Sequence, residues 1–298
     1  MTGQGAHSDD RARERGPAGC LQEGRPSLPA QAGYRGRAPG RGKAAGALVV
    51  LKFGGTSVGT TRRVRLAARR IVAHVRRGRR VVVVVSAAGG STDRILARAA
   101  RVSGGLAPAS RELDRALATG EDRSAALLAL AVESLGVPAR SLRGGEAGLR
   151  AEGEHGAGRI EEVVAWRLFE LLDAGVVPIV AGFQGVRRDG ETLTLGRGAS
   201  DATAVVVAAA LGAECHLITD VSAVYDRDPN LDATARPYRR LDHAQLAALT
   251  AAGARVVQAE AARLAELTAT PLWVYGWQAP LSGRGGTRIV AATAEEAA

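Results

Sequence analysis

A three-layer αβα sandwich around a mainly parallel sheet is the α/β fold that this 298-residue chain predicts, on three observations. Short apolar runs recur at residues 47–51, 81–85, 176–181, 215–218 and 272–275, and runs of that length and continuity read as buried strands. Longer stretches with helical spacing separate them. Loops of glycine and other small residues follow several of the runs, where open α/β sheets place their ligands. Strand and helix in alternation give helical layers on a parallel sheet.

Residues 1–45 are rich in Gly, Pro, Arg and Ala and have no periodicity. Such a segment cannot bury enough apolar surface to offset its ordering entropy, so a disordered tail is expected. The strand at 47–51 then runs into Lys52-Phe53-Gly54-Gly55-Thr56-Ser57-Val58. A strand, a glycine pair and a helix start present backbone N–H groups to a phosphate. The lysine precedes the glycines, so this is not the G-x-x-x-x-G-K-[ST] loop. Of 40 basic residues only Lys43 and Lys52 are lysines. An ammonium kept at Lys52 suggests a point charge on phosphate oxygens rather than a planar fork. The competing reading is a strand-end lysine that caps a surface.

The helix from Thr61 carries Val64, Ala67, Ala68, Ile71, Val72 and Val75 on one face and stops at Gly78. Five valines, 81–85, predict a central parallel strand ending in a second small-residue loop, 86–93. Two helices are expected within 110–135, broken at Thr119-Gly120. Glu121 then opens the second, where an acid either complements the helix dipole or meets a ligand. The strand at 176–181 leads into Gly182-Phe183-Gln184-Gly185, and Asp189-Gly190 marks a hairpin turn. Gly196-Arg197-Gly198-Ala199-Ser200-Asp201 precedes an apolar helix to about Leu211. Ser200 or Asp201 is a candidate N-cap, and glycines with an arginine at a helix start also make an anion site. The strand at 215–218 ends in Thr219-Asp220, and Tyr225 and Asp228-Pro229 follow in a loop. A helical pattern from 242 to 268, interrupted near Gly253, and a last strand at 272–275 complete the chain.

The bulk numbers narrow the function classes. A formal charge of +10 in a chain so biased toward arginine reads as a solvated basic surface. A nucleic-acid patch would bring interleaved aromatics, and aromatic content is 3%. Cys20 and Cys215, one in the tail and one in an expected buried strand, do not suggest a structural disulfide. No apolar run has membrane-span length and none at the N-terminus resembles a signal peptide, so a cytoplasmic protein is expected.

With these blocks in order, the sequence resembles the catalytic domain of the aspartate kinases, within the amino-acid kinase fold. The resemblance rests on 52–58, the 86–93 loop, Thr119-Gly120-Glu121, His155-Gly156, 182–185, 196–201, and Thr219-Asp220 through Tyr225 to Asp228-Pro229. It covers about 48–290 and implies a kinase domain over 46–292. An amino-acid half would span 46–195 and a nucleotide half 196–292. It implies L-aspartate and Mg-ATP as substrates, with ATP and Mg²⁺ as cofactors and no metal ligand assigned. Lys52 would lie against the transferring phosphoryl group with Asp201 holding it, and Gly54, Gly55 and Ser57 would line the phosphates. Ser86, Thr92, Glu121, Arg197 and Ser200 would surround the amino acid. Thr219, Asp220, Tyr225, Asp228 and Arg255 would face the nucleotide.

The family usually continues into two regulatory ACT modules. The resemblance therefore implies feedback control that is absent or supplied by a separate subunit, and association of copies is open. Asn230, Arg255 and Gln258-Ala259 stand where arginine, lysine and His-Pro are common, so the departures gather on the nucleotide half. A kinase for a related amino acid or carboxylate, or a degenerate nucleotide-binding subunit, are the competing readings.

Overall fold

The valine run forms the centre of the molecule. In a computed structural model, the described residues are 46–105, 110–196, 198–229, 231–254, 256–280 and 285–292. The expected tail at 1–45 and the side chains of Arg197, Asn230 and Arg255 lie outside them. Strand β2 (Arg80–Val85) pairs in parallel with β1 (Leu48–Phe53), and β1 pairs in parallel with β9 (Glu214–Thr219) on its other edge. Continuing outward are β6 (Val177–Ala181) and β3 (Ala139–Leu142) on the β2 side. On the β9 side are β11 (Leu272–Gly276), β12 (Thr287–Val290) and β10 (Arg240–Asp242). The eight-stranded order is β10-β12-β11-β9-β1-β2-β6-β3, parallel except where β11 meets β12.

Side chains alternate across this sheet and separate two apolar layers. Val49, Leu51, Phe53, Val81, Val83 and Val85 pack with residues of α1 (Thr61–Arg76) and α3 (Arg111–Glu133). Val50, Val82, Val84 and Cys215 pack with α4 (Trp166–Asp173), α5 (Ala199–Leu211) and α7 (Ala259–Thr268). The expected three-layer sandwich is therefore observed. By the same alternation Lys52 shares the face of Val50, toward α5.

The hairpin predicted at Asp189-Gly190 joins β7 (Gln184–Val186) to β8 (Thr192–Thr194). With β4 (Leu149–Glu152) and β5 (Arg159–Val163) it makes a second, four-stranded sheet that the sequence reading did not resolve. The pattern over 242–268 divides as expected, into α6 (His243–Ala251) and α7, with a capping box at Asp242 and Gln245. Among the described residues no helix is long and apolar enough to cross a membrane.

Two local expectations are corrected. The segment 110–135 holds one helix, α3, running unbroken through Thr119-Gly120. Gly120 serves packing: a Cβ there would lie 3.1 Å from Ala87 Cβ and 3.4 Å from Ser91 Oγ. The helix accepts the glycine's propensity cost, about 1 kcal/mol, to let the 86–90 loop and the start of α2 (Ser91–Val102) approach. Glu121 is consequently mid-helix, and the dipole reading of it falls. Neither Ser200 nor Asp201 is an N-cap. The cap of α5 is Gly198 at φ 79°, with no side-chain bond, and both polar residues occupy the first turn.

At the end of the sheet remote from the glycine loops lies a buried polar cluster. His74 of α1 packs against His216 of β9 with ring centroids 5.6 Å apart. His216 shares hydrogen bonds with the Tyr275 hydroxyl (3.2 Å) and with Glu214 (3.0 Å). His74 Nδ1 has no partner. Burial, then the neighbouring His216, Arg79, Arg70 and Arg77, pushes the His74 pKa down to about 3. Burial also lowers that of His216, against the pull of Glu214. Unfolded imidazoles take up protons below about pH 6.5 that these cannot accept until far lower, so acid favours unfolding across that window. Between pH 7 and pH 4 His74 should remove stability on the order of 3 kcal/mol, read as the difference in pH dependence of the urea midpoint between the native protein and His74→Gln. Equal slopes in the two proteins would refute the assignment.

Candidate active site

The expected lysine and acid meet. Lys52, the next-to-last residue of β1, points toward α5, whose first turn presents Asp201, and Nζ lies 2.5 Å from Oδ1. Their side chains are 14% and 9% exposed, so the pair is nearly enclosed. The ammonium contact is not aligned as a hydrogen bond, leaving Oδ1 open to another donor. A Cβ on Gly54 would lie 3.3 Å from Nζ, so the glycine leaves room beside the charge.

The two small-residue loops close on each other around this pair. Gly89 N–H donates to Gly55 O (3.0 Å), and Ser86 N–H to Phe53 O (3.1 Å). Gly55 is so near Ala87 that a Cβ would stand 2.5 Å from its carbonyl oxygen. The residues Gly55–Val58 make a short 3-10 turn, and the buried Ser57 hydroxyl has no partner. A third loop joins through Gly182, whose N–H donates to Val85 O (3.0 Å). A Cβ on Gly182 would collide with Ser200 Oγ at 2.8 Å, so Ser200 lies directly against that turn. Phe183 beside it holds φ at 62°, a left-handed conformation costly for an aromatic residue.

Glu121 reaches the same place from α3. The Ala87 N–H donates to its Oε1 (3.2 Å), while Oε2 is buried and unpartnered. Burial, aided by the charge of Asp122 and opposed by that N–H, raises its pKa to about 7. Ser124, one turn on and not anticipated from sequence, accepts from Ala88 N–H (3.0 Å). Its signal was the four-residue spacing from Gly120, legible only once a single helix is drawn. Thr92 is the second residue of α2, within the helix that follows the 86–90 loop.

On the other side, β1 and β9 are in register from Val49↔Glu214 to Phe53↔Ile218, which brings Thr219 alongside Gly54. Thr219 Oγ1 donates to Asp220 (3.0 Å). Tyr225 shares a hydrogen bond with Ser222 (2.6 Å) and forms a bridge with Pro237. The Asp228 carbonyl closes the turn by accepting from Leu231 and Asp232 N–H. The structure thus gathers Lys52, Gly54, Gly55, Ser57, Ser86, Glu121, Ser200 and Asp201 at the carboxyl ends of β1, β2 and β6. Thr219 and Asp220 continue that edge along β9, and Tyr225 and Asp228 follow in the loop beyond. Gln258 touches Gly198 at the head of α5.

Sequence reading also left unexplained the buried Asp114. It accepts from Thr194 Oγ1 (2.5 Å) and Gly156 N–H (3.1 Å) and pairs with His155 Nδ1 (2.8 Å), tying α3 to both hairpins of the second sheet. The His155-Gly156 pair was the visible half of that node.

Fold and site together define a member of the amino acid kinase family: the family's model matches residues 47–276, and the chain belongs to that family. Among characterised relatives, it is 44% identical over 228 residues to the aspartokinase of Geobacillus stearothermophilus, covering 76% of this chain and 56% of that one. It is 45% identical over 216 residues to the Thermus thermophilus aspartokinase, covering 72% and 53%. The chain spans about half the length of these relatives. Among solved structures, aspartate kinase from Synechocystis superposes with TM-score 0.70 at 37% identity, covering 84% of this chain and 40% of that one. E. coli aspartokinase III in complex with aspartate and ADP gives TM-score 0.74 at 25% identity, covering 83% and 65%.

Two outcomes follow from the site's packing. Gly55→Ala should cost about 1–3 kcal/mol, because its Cβ meets backbone rather than a movable side chain; an unchanged urea midpoint would contradict the contact. Glu121 should titrate near pH 7 in the ligand-free protein, a carboxyl signal in difference infrared spectra that Glu121→Gln removes. Its raised pKa favours the fold at low pH, and that contribution is lost as pH rises through about 7. Glu121→Gln should therefore be the more stable protein at pH 8.

Proposed function

We propose that this chain catalyses ATP-dependent phosphorylation of the side-chain carboxylate of L-aspartate, giving 4-phospho-L-aspartate, the first step toward lysine, threonine and methionine. The observation that carries the reading is the enclosed Lys52–Asp201 pair between two interlocked glycine loops. The identity to aspartokinases supports the choice of substrate.

The nucleophile is already ionised at neutral pH, so the reaction needs little acid–base help. It needs alignment of two anions that repel each other, and stabilisation of charge on the migrating group. A carboxylate oxygen of aspartate forms a bond to the γ-phosphorus while the bond from phosphorus to the β–γ bridging oxygen breaks, and ADP leaves with that electron pair. In this reading Lys52 follows the phosphoryl oxygens and Asp201 holds the ammonium in place. The backbones at Gly54 and Gly55 and the free Ser57 hydroxyl face the phosphates. Glu121, near half-ionised at pH 7, completes its ionisation when it receives the substrate ammonium. Ser86, Thr92 and Ser200 donate without adding charge, and Arg197 grips a carboxylate with two parallel bonds.

Thr219, Asp220, Tyr225, Asp228 and Arg255 take the nucleotide side. This divides 46–292 into an amino-acid half and, from about 196, a nucleotide half. Among the described residues no group of three His, Cys, Asp or Glu could hold a metal ion. Mg²⁺ would enter with ATP and supply charge neutralisation at the phosphates, with no metal ligand assigned to this chain. A cytoplasmic enzyme acting as a homo-oligomer or with a separate regulatory subunit completes the proposal.

Trapping the acyl phosphate as hydroxamate, with a panel of amino acids, tests the reading. Turnover should require L-aspartate, and preference for another carboxylate would reassign the substrate. Lys52→Ala should lower kcat by at least about a hundredfold, the usual cost of one group that stabilises transition-state charge. Lys52→Arg should also be poor, since a planar fork presents its charge in a different geometry from a compact ammonium. Full activity in the arginine variant would refute the point-charge role.

A further inference from the structure

A cavity of about 630 Å³ opens where the β3 edge of the large sheet faces the second sheet and the start of α4. Its lining includes Arg140 from β3, Arg150 from β4, Trp166 and Arg167 from α4, with Ser141 and Glu146 between. It shares no residue with the candidate active site.

The charges on this wall are not balanced. Glu146 is committed to Arg143 (3.0 Å) and Arg167 to Glu170 (2.5 Å). The guanidinium groups of Arg140 and Arg150 are not in a hydrogen bond or close ion pair with any described residue, although the charge of Arg140 reaches Glu146. Elsewhere on this surface arginines find carboxylates, as Arg188 does with Glu161 and Arg263 with Glu260. An anion bound in this hollow would meet the charge and the paired N–H donors of guanidinium groups that have no close carboxylate.

Trp166 adds a second requirement. It is 57% exposed, the most exposed aromatic side chain among the large exposed hydrophobics of the described residues. Arg167 sits 5.9 Å from its ring centroid. A large aromatic face beside guanidinium groups is suited to a flat ring that stacks on it. The volume lies in the range of small-molecule sites, about 300–1,000 Å³.

We propose that this cavity is a binding site for a small ring-bearing organic anion, its phosphate or carboxylate groups held by Arg140 and Arg150 and its ring on Trp166. The site is separate from that of the phosphoryl transfer and does not depend on that reading.

Calorimetry on the full chain tests this, with variants of the cavity wall separating it from any nucleotide site. The probes are 1-naphthyl phosphate, phthalate, 1-naphthol and inorganic phosphate. Naphthyl phosphate or phthalate should bind saturably, and whichever binds more tightly identifies the acidic group. Naphthol and inorganic phosphate, each lacking one half of the chemistry, should bind at least about tenfold more weakly. The exposed side chains allow Arg140→Ala/Arg150→Ala and Trp166→Ala to fold, and each should weaken the bound probe about tenfold or more. Absence of saturable binding by both ring-bearing anions overturns the proposal. So does undiminished binding to the double arginine variant.

Discussion

The enclosed contact between Lys52 and Asp201 governs how the rest of the molecule is arranged. Charges with so little access to water are tolerated only as a pair, because removing either partner strands the other in a poor solvent for ions. The pair exists because Lys52 has the parity of Val50 and so leaves β1 on the α5 face. One residue of slip in β1 would turn the ammonium toward α1 and α3. Strand pairing on both edges of β1 therefore fixes the position of a charge as well as a core.

Much of this was legible in the chain itself. The valine run declared the central strand because β-branched residues without alternation suit a strand covered on both faces. The scarcity of lysine made Lys52 conspicuous, and the glycines around it marked close backbone approach. What was not legible depended on distant neighbours. Gly120 looks like a helix break in isolation, and only the Ala87–Ser91 segment packed against it explains why a helix would tolerate it. Asp201 reads locally as a cap, whereas its partner lies about 150 residues earlier. The strands of the second sheet are short and half-polar, and β5 is exposed along much of its length, so periodicity had little to register. Gly182 was visible as a turn residue but not as the seat of Ser200.

The site keeps several polar atoms in a condition that a purely structural core would avoid. Ser57 Oγ and Glu121 Oε2 are buried without partners, and Phe183 holds a strained backbone. Each feature costs stability in the free protein. They surround the same short stretch of sheet edge, which supports assigning them to ligand binding rather than to misfit. The His74–His216 cluster at the other end of the sheet is a different case: His216 is fully engaged there, and the unpaired His74 nitrogen faces only protein.

The position of β1 also has a consequence for how the molecule is made. Its two neighbours in the sheet come from widely separated parts of the chain, β2 about 30 residues on and β9 about 165. Contacts of such long sequence separation form late, after the entropy of closing large loops has been overcome. A nascent chain leaving the ribosome can assemble β1, α1 and β2 long before α5 and β9 emerge. The Lys52–Asp201 contact is therefore among the later features to appear during synthesis.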